Sequence, residues 1–503
     1  MRLLRRIVRR VLTKFRAVRE VRGWERDAVP FDPARPHHSP AEDREAAGRL
    51  VNALERIPQA FRVDLGGNPG GVVLGSLEPD FPNLVASTLA QIEELGLVPA
   101  RETKWGYRIE PGLAERLSKR KVARLAVLDG AGRRLLRVRL ERWQESEQEV
   151  KAPCFNPVST TAQKEWFAER VLSGPRPGRV AELVDGPLTT DPDFDVDVVY
   201  TWVNDQDPKW RALYEEHRGD RPPRDGTSLA RFMNRDELLY SVRSVDEFAP
   251  WVRNIYVLTN CAPPSWVNLD HPRLRWIDHE QVFPEGTLPT FNSHAIESRL
   301  HHIPGLANQF LYLNDDFMFS RPVSKTDFFS SAGHCLPKLE RWGRVNGTVC
   351  PTDPDYLNAA RLGQRLLFEK YGRSATRLHQ HTCYALRVDL LCELEELFPE
   401  EFARTSRSTF RSVTDISIAS FLFHHYALIR REAIHRSGNV ALIQARNRYR
   451  TRFEQILARR SLGSSPLTIC INDGAGSDND RDWNHAVVDF LKAMYPRKSQ
   501  FER

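Results

Sequence analysis

Three observations predict an α/β fold with a mainly parallel, Rossmann-like sheet for this chain of 503 residues. The β-branched and aromatic run Val196–Val203 is long enough for a buried strand and too short for a helix. Strand-like and helix-like stretches alternate after it, which implies right-handed crossovers and a sheet covered on both faces. The predicted strands end in polar clusters, at the edge where such sheets bind ligands. Helices added beyond the sheet at the C-terminus and a small N-terminal α/β domain complete the expected architecture.

Taken in order, residues 1–28 read as a basic amphipathic helix. Leu3, Leu4, Ile7, Val8, Val11, Leu12, Phe15 and Val18 recur at helical spacing, with arginines filling the gaps. Such a helix, over 1–22, suits an anionic membrane face, or else docks on the protein's own body. A Pro- and His-containing connector and a helix near Ala41–Glu55 fill 29–60, with His37-His38 read as linker. The small domain spans 61–173, with strands at Gly71–Leu74, Ala123–Leu128 and Leu135–Leu140 and a helix at Pro82–Leu95. Pro, Gly, Thr and Asp dominate 174–194, the make-up of a linker.

The large domain, 195–503, carries the alternation: a helix over Arg235–Phe248, strands at Asn254–Thr259 and Leu274–Ile277, a helix over His294–His302, and a strand at Gln309–Leu313. Glu432–Arg460 reads as an Arg-rich helix with a solvated face.

Composition narrows the function. The net charge of +7 is matched by residues 1–28 alone, which hold ten Lys or Arg against three Asp or Glu. The remainder is formally neutral, so no basic stripe for nucleic acid is expected. Seven scattered cysteines without a CxxC pair argue against disulfides and a zinc knuckle. Neither a spanning apolar stretch nor a signal sequence is read, so a cytoplasmic protein, peripheral on the inner membrane face at most, is expected.

Three strand ends carry chemistry. After the first come Trp202, Asn204 and Asp207, an aromatic to stack on a base and oxygens to meet a ribose or phosphate. The second ends in Thr259-Asn260. The third ends in Asn314-Asp315-Asp316, where adjacent carboxylates repel unless a cation neutralises them, the pattern of a metal–diphosphate site or of an ordinary turn.

Asp197–Asn204, Asp236–Ser244 with Ala249–Tyr256, Leu288–Asn292 with Ala295–Ser298, and Phe310–Asp316 follow one another in the order of a known family. His381, Leu397–Phe402, Arg411 and Asp415 come next, then Cys470-Ile471-Asn472-Asp473. In these motifs the sequence resembles the Stealth proteins, over about Asp195 to Phe501. That family includes bacterial capsule hexose-1-phosphate transferases and the animal N-acetylglucosamine-1-phosphotransferase. Two positions depart from its pattern: Asn234-Arg235 stands where Asp-Asn is usual, and Cys383 where Pro is usual.

The resemblance implies a nucleotide-sugar-transferase-like sheet, a UDP-sugar donor, a glycan acceptor, and a divalent cation, Mg²⁺ or Mn²⁺. It implies catalytic positions at Glu297, Asp316, His381 and Arg411, with metal held by Asp315, Asp316 and Asn472. Trp202, Asn204, Asp207, Asn260, Arg243 and Asp415 are the expected substrate contacts. The implied reaction moves a hexose-1-phosphate to a glycan hydroxyl and releases UMP. Either His381 or Glu297 is the base, and His381 and Arg411 are expected to converge with Asp316 and Asn472 on one diphosphate pocket. Formation of a glycosidic bond, or a catalytically silent glycan-binding or membrane-scaffold role, are the competing readings.

Overall fold

A computed structural model describes residues 49–51, 53, 54, 56–58, 60–63, 71–103, 106–129, 132, 134–153, 161–173, 191–219, 234–341, 344–445, 449–461, 465–472 and 480–503. The helix expected over 1–28, its connector, and most of the 174–194 linker lie outside the described residues. The chain divides into two compact units, 1–186 with 454–465, and 187–453 with 466–503.

The first unit contains β1 (Phe61–Arg62), β2 (Gly71–Leu77), β3 (Val98–Thr103), β4 (Gly106–Arg108), β5 (Val122–Leu128), β6 (Arg134–Glu145), β7 (Glu149–Lys151) and β8 (Thr161–Gln163). They form one sheet in the order β1-β2-β6-β5-β3-β4, with β7 and β8 continuing from β6. Only β2 and β6 run parallel; the other pairs are antiparallel. The helix Phe81–Glu94 turns Phe81, Leu84, Val85, Leu89 and Ile92 inward at helical spacing, into the same core as Leu74, Leu125 and Leu140. A second core brings Phe61, Trp143 and Phe167 together with ring centroids 5.0–5.7 Å apart. Gly75 makes room for it, because a Cβ there would overlap the Phe61 ring.

The second unit contains β9 (Val196–Thr201), β10 (Ile255–Leu258), β11 (Leu274–Ile277), β12 (Gln309–Asn314), β13 (Phe317–Phe319), β14 (Tyr384–Arg387), β15 (Val440–Gln444) and β16 (Thr468–Asn472). The main sheet has the order β11-β10-β9-β12-β14. Its first four strands are parallel and β14 is antiparallel. From β9 the chain moves outward through β10 and β11, then returns to place β12 on the other side of β9. That reversal opens a crevice beyond the carboxyl ends of β9 and β12. A small second sheet, β13-β16-β15, leaves the end of β12 directly.

Two expected helices differ. The stretch His294–His302 splits into the helix Ser293–Glu297 and a 3₁₀ turn at Leu300–His302. Arg299 breaks it, with φ −115° and ψ 2°, and turns its guanidinium to Val282 O at 3.2 Å and Glu395 Oε1 at 2.6 Å. Among the described residues of Glu432–Arg460, only those from Tyr449 are helical, and Val440–Gln444 is the strand β15. The apolar run Val440–Ile443 finds a parallel partner in β16, and tertiary pairing overrides the helical reading of the surrounding arginines.

The amino end of the main sheet hangs on one buried carboxylate. Asp197, fully buried on β9, accepts from Arg253 Nε at 2.9 Å and Nη2 at 2.5 Å, Asn254 N at 3.0 Å, and Ala307 N at 2.7 Å. It thereby ties β9 to the starts of β10 and β12. Replacing Asp197 by Ala strands two backbone donors and a guanidinium, which is expected to destabilise the protein by about 3 kcal/mol. Urea unfolding measures this, and a loss below roughly 1 kcal/mol would show that the network is dispensable.

Candidate active site

The site grows from the crevice between β9 and β12, where Thr201 and Asn314 are register partners. Tyr312, fully buried on β12, links them: its hydroxyl lies 2.9 Å from Thr201 Oγ1 and donates to Asn314 Oδ1 at 3.0 Å. Glu297 reaches the same hydroxyl from the end of the helix Ser293–Glu297, which Asn292 caps by accepting from His294 N at 3.0 Å. Glu297 is buried, and Oε2 has no hydrogen-bond partner among the described residues. Burial pushes its carboxyl up to about 7, against the opposing pull of Arg411, the Ala419 N–H and the Tyr312 hydroxyl. Near neutral pH this group therefore stands between its acid and base forms.

Arg411 faces Glu297 from a loop after the helix Pro399–Ser406 and donates through Nη2 to Ser293 Oγ at 2.7 Å. Burial works against its charge, while Glu297, Asp355 and Asp415 favour it. Asp415 was expected to touch substrate, but it is fully buried and its carboxylate is occupied internally. It accepts from Asn292 Nδ2 at 2.8 Å, Ser408 Oγ at 2.7 Å and Ser412 N at 2.8 Å. Its place is to fasten the Arg411 loop to the residue that caps the Glu297 helix.

On the other side, Asp315 and Asp316 form the turn from β12 into β13. Because β13 pairs with β16, Ile471 N donates to Asp316 O at 3.1 Å and the Cys470 thiol reaches Asp316 Oδ2 at 3.3 Å. Asn472 follows at the end of β16, where Oδ1 accepts from Gln444 Nε2 at 3.3 Å. Burial raises the Asp315 carboxyl well above the usual range, and the charges of Asp316 and Glu237 raise it further. This excess of negative charge is of the kind a hard divalent cation neutralises, and Asn472 stands one residue beyond Ile471, whose N–H bonds Asp316 O. Burial raises the Tyr384 hydroxyl well above its usual range, and Glu297 and Asp316 each raise it further, so Tyr384 senses both halves.

His381 lies just before β14. Tyr384 pairs with Tyr312, so the antiparallel course carries the residues before Tyr384 towards the Asn314 end of β12. Next to it, Thr382 Oγ1 lies 2.5 Å from Thr468 Oγ1 on β16. The protein around His381 lowers its imidazole, and Glu340 opposes this.

The remaining expected contacts separate. Asp207 caps the helix Pro208–Arg218 through Lys209 N at 2.9 Å and holds Ala262 N at 2.8 Å, so its oxygens are engaged in the fold. Arg243 forms a two-pronged pair with Glu502 at 2.9 and 2.7 Å and donates to Tyr495 O at 2.9 Å, fastening the C-terminus. Trp202 is only 5% exposed and meets Trp276 edge-on at 5.4 Å, which leaves no open face for a base. Asn204 and Asn260 stay half-buried at the strand ends; Asn204 Oδ1 accepts from Gln206 N at 3.0 Å and Asn234 Nδ2 at 3.3 Å.

Sequence reasoning missed Tyr384 and Glu237. Glu237 is buried against Arg235, one of the two departures noted above, with Arg235 Nη1 to Glu237 Oε1 at 2.9 Å. A second group of donors, His301, His302 and Glu395, is a possible cation site by residue type. Both imidazole Nε2 atoms lie 2.7 and 2.8 Å from one Glu395 oxygen, but Arg299 holds the other, and a fixed guanidinium there disfavours a second cation.

A parallel sheet whose switch point gathers a carboxylate pair, a poised glutamate and an arginine belongs to an α/β transferase. Models of the four Stealth conserved regions match residues 194–220, 231–336, 380–428 and 461–503 in order, regions one, two, three and four. The capsular polysaccharide phosphotransferase SacB of Neisseria meningitidis serogroup A is 39% identical over 368 residues, 73% of this chain and 67% of the relative. The exopolysaccharide phosphotransferase CpsY of Mycobacterium leprae is 33% identical over 485 residues, 93% and 88% of the two chains. The chain belongs to the Stealth family of polysaccharide phosphotransferases. Among solved structures, the galactosyltransferase LgtC with donor and acceptor sugar analogues aligns over 60% of this chain and 95% of its own, at TM-score 0.31 and 11% identity.

Proposed function

We propose that the chain moves a hexose-1-phosphate from a UDP-sugar to a hydroxyl of a growing exopolysaccharide. The observation that carries this reading is the pairing, at one sheet end, of a buried carboxyl near its midpoint at neutral pH with an arginine and a crowded acidic pair. The acceptor oxygen attacks the phosphorus next to the sugar, the bond from that phosphorus to the bridging oxygen breaks, and UMP leaves. The anomeric bond is untouched. Glu297, with one oxygen unengaged, is the base that takes the hydroxyl proton, and His381 is its rival. Arg411 offers a planar donor fork to the transferring phosphoryl group. Asp315 and Asp316, with Asn472, would hold Mg²⁺ or Mn²⁺, which when bound neutralises diphosphate oxygens.

No described helix is long and apolar enough to cross a membrane. The basic segment 1–22 is the proposed contact with an anionic bilayer on the cytoplasmic face. Incubating the purified protein with UDP-sugars, a glycan acceptor and Mg²⁺ or Mn²⁺ tests the reaction. UMP and a phosphodiester are expected, whereas UDP with a new glycosidic bond would make it a glycosyltransferase.

A further inference from the structure

A second concave site lies away from the strand ends. A cleft of about 500 Å³ opens between the ends of the helices Asp355–Tyr371 and Phe423–Ile429, lined by Tyr371, Arg373, Ser374, His425 and Arg431 among others. Arg373 and Arg431 are exposed, and neither they nor Arg377 has an ion pair among the described residues. The carboxylates nearby are engaged with other arginines: Glu369 with Arg365, Glu393 with Arg430, and Glu432 with Arg387. The charge of Arg377 also reaches into the cleft, where it acts on His425, whose Nε2 lies 2.8 Å from Arg377 O.

Basic residues after a helix also suit the negative end of its dipole, which is the ordinary explanation for them. The magnitudes do not match. Two helix ends supply roughly −0.5 charge each, and Arg373, Arg377 and Arg431 exceed their sum about threefold. Arg431 adds a second observation: with φ at +63° it occupies the left-handed position after a helix where glycine is the usual residue. A long cationic side chain stands where the backbone favours none, and such outliers collect at ligand sites.

The cleft is connected to the reacting groups by one continuous helical segment. The N–H of Ala419, near its start, helps hold the Glu297 carboxyl down, and Ile429 and Arg431 at its far end line the cleft. Twelve residues of helix span roughly 18 Å. A single sugar at Glu297 does not bridge that distance, but an oligomer does. On the function proposed above, every transfer adds one phosphodiester, so the growing product is a regularly spaced polyanion.

We propose that the cleft is a secondary binding site for this product, in which phosphodiesters of the sugar-phosphate chain pair with Arg373 and Arg431 beside Tyr371. The site retains the chain between additions and favours long acceptors over short ones.

The double substitution Arg373→Ala and Arg431→Gly tests it, since glycine relieves the backbone at 431 and the fold should survive, checked by an unchanged or higher Tm. Fluorescence anisotropy of the full chain with a labelled phosphodiester-linked oligosaccharide of about eight repeats needs no turnover. The double variant should bind about tenfold more weakly than wild type, with a shallower salt dependence, while an uncharged glycan of equal length is bound alike by both. In transfer assays, kcat/KM should fall about tenfold for the long acceptor, stay unchanged for a single-repeat acceptor, and the products should shorten. Equal binding of the long oligomer by both proteins, or no binding by wild type, overturns the proposal. So does a variant that loses affinity only for anionic phosphatidylglycerol vesicles, which would make the cleft a membrane contact. Absence of UMP release by wild type would instead overturn the reaction, and the binding arm separates the two failures.

Discussion

Asp316→Asn is expected to lower UMP release by at least about 10³-fold while the protein remains folded. The substitution keeps the volume and removes one negative charge. The contacts that place the turn survive it: Ile471 N donates to the main-chain oxygen of residue 316, and the amide oxygen still accepts from the Cys470 thiol. What is lost is one of the two charges that, after burial itself, raise the Asp315 carboxyl above the usual range. Two readouts separate a weakened cation clamp from a damaged fold. Thermal unfolding should match wild type, and raising Mn²⁺ should recover part of the activity through mass action. UMP release close to the wild-type rate would remove Asp316 from the metal site.

The main sheet was legible because its strands are β-branched runs bounded by polar residues, and β9 and β12 lie within a few residues of their expected limits. Their polar ends were legible for the same reason, since a doubly wound sheet dictates where its ligands bind. The roles of Asp415, Asp207 and Arg243 were not. A charged residue in a motif looks the same whether its partner is a substrate or a backbone amide, and these three find theirs inside the fold: Asn292 and Ser408, Lys209 and Ala262, Glu502 and Tyr495. Strand β15 was hidden differently. Its five residues sit among arginines and acquire their conformation from β16, which lies more than twenty positions later in the chain. Tyr384 carried no local signal, because its importance comes from the register of β14 against β12.

The pH dependence of transfer identifies the base. A base acts as its charged form, so with the Glu297 carboxyl near 7 in the free enzyme, kcat/KM should rise with pH, tenfold per unit well below 7, and level off above it. Glu297→Gln should cost about 10²- to 10⁴-fold and remove this limb, leaving a flat residual rate. Arg411→Lys should weaken transfer and move the midpoint upward. The guanidinium is the largest influence holding the carboxyl down, and an ammonium does not reproduce its fork or its bond to Ser293. His381→Ala discriminates. If Glu297 is the base, this variant keeps the limb near 7. If the limb instead survives in Glu297→Gln and disappears in His381→Ala, the proton goes to the imidazole and Glu297 serves to bind the acceptor sugar.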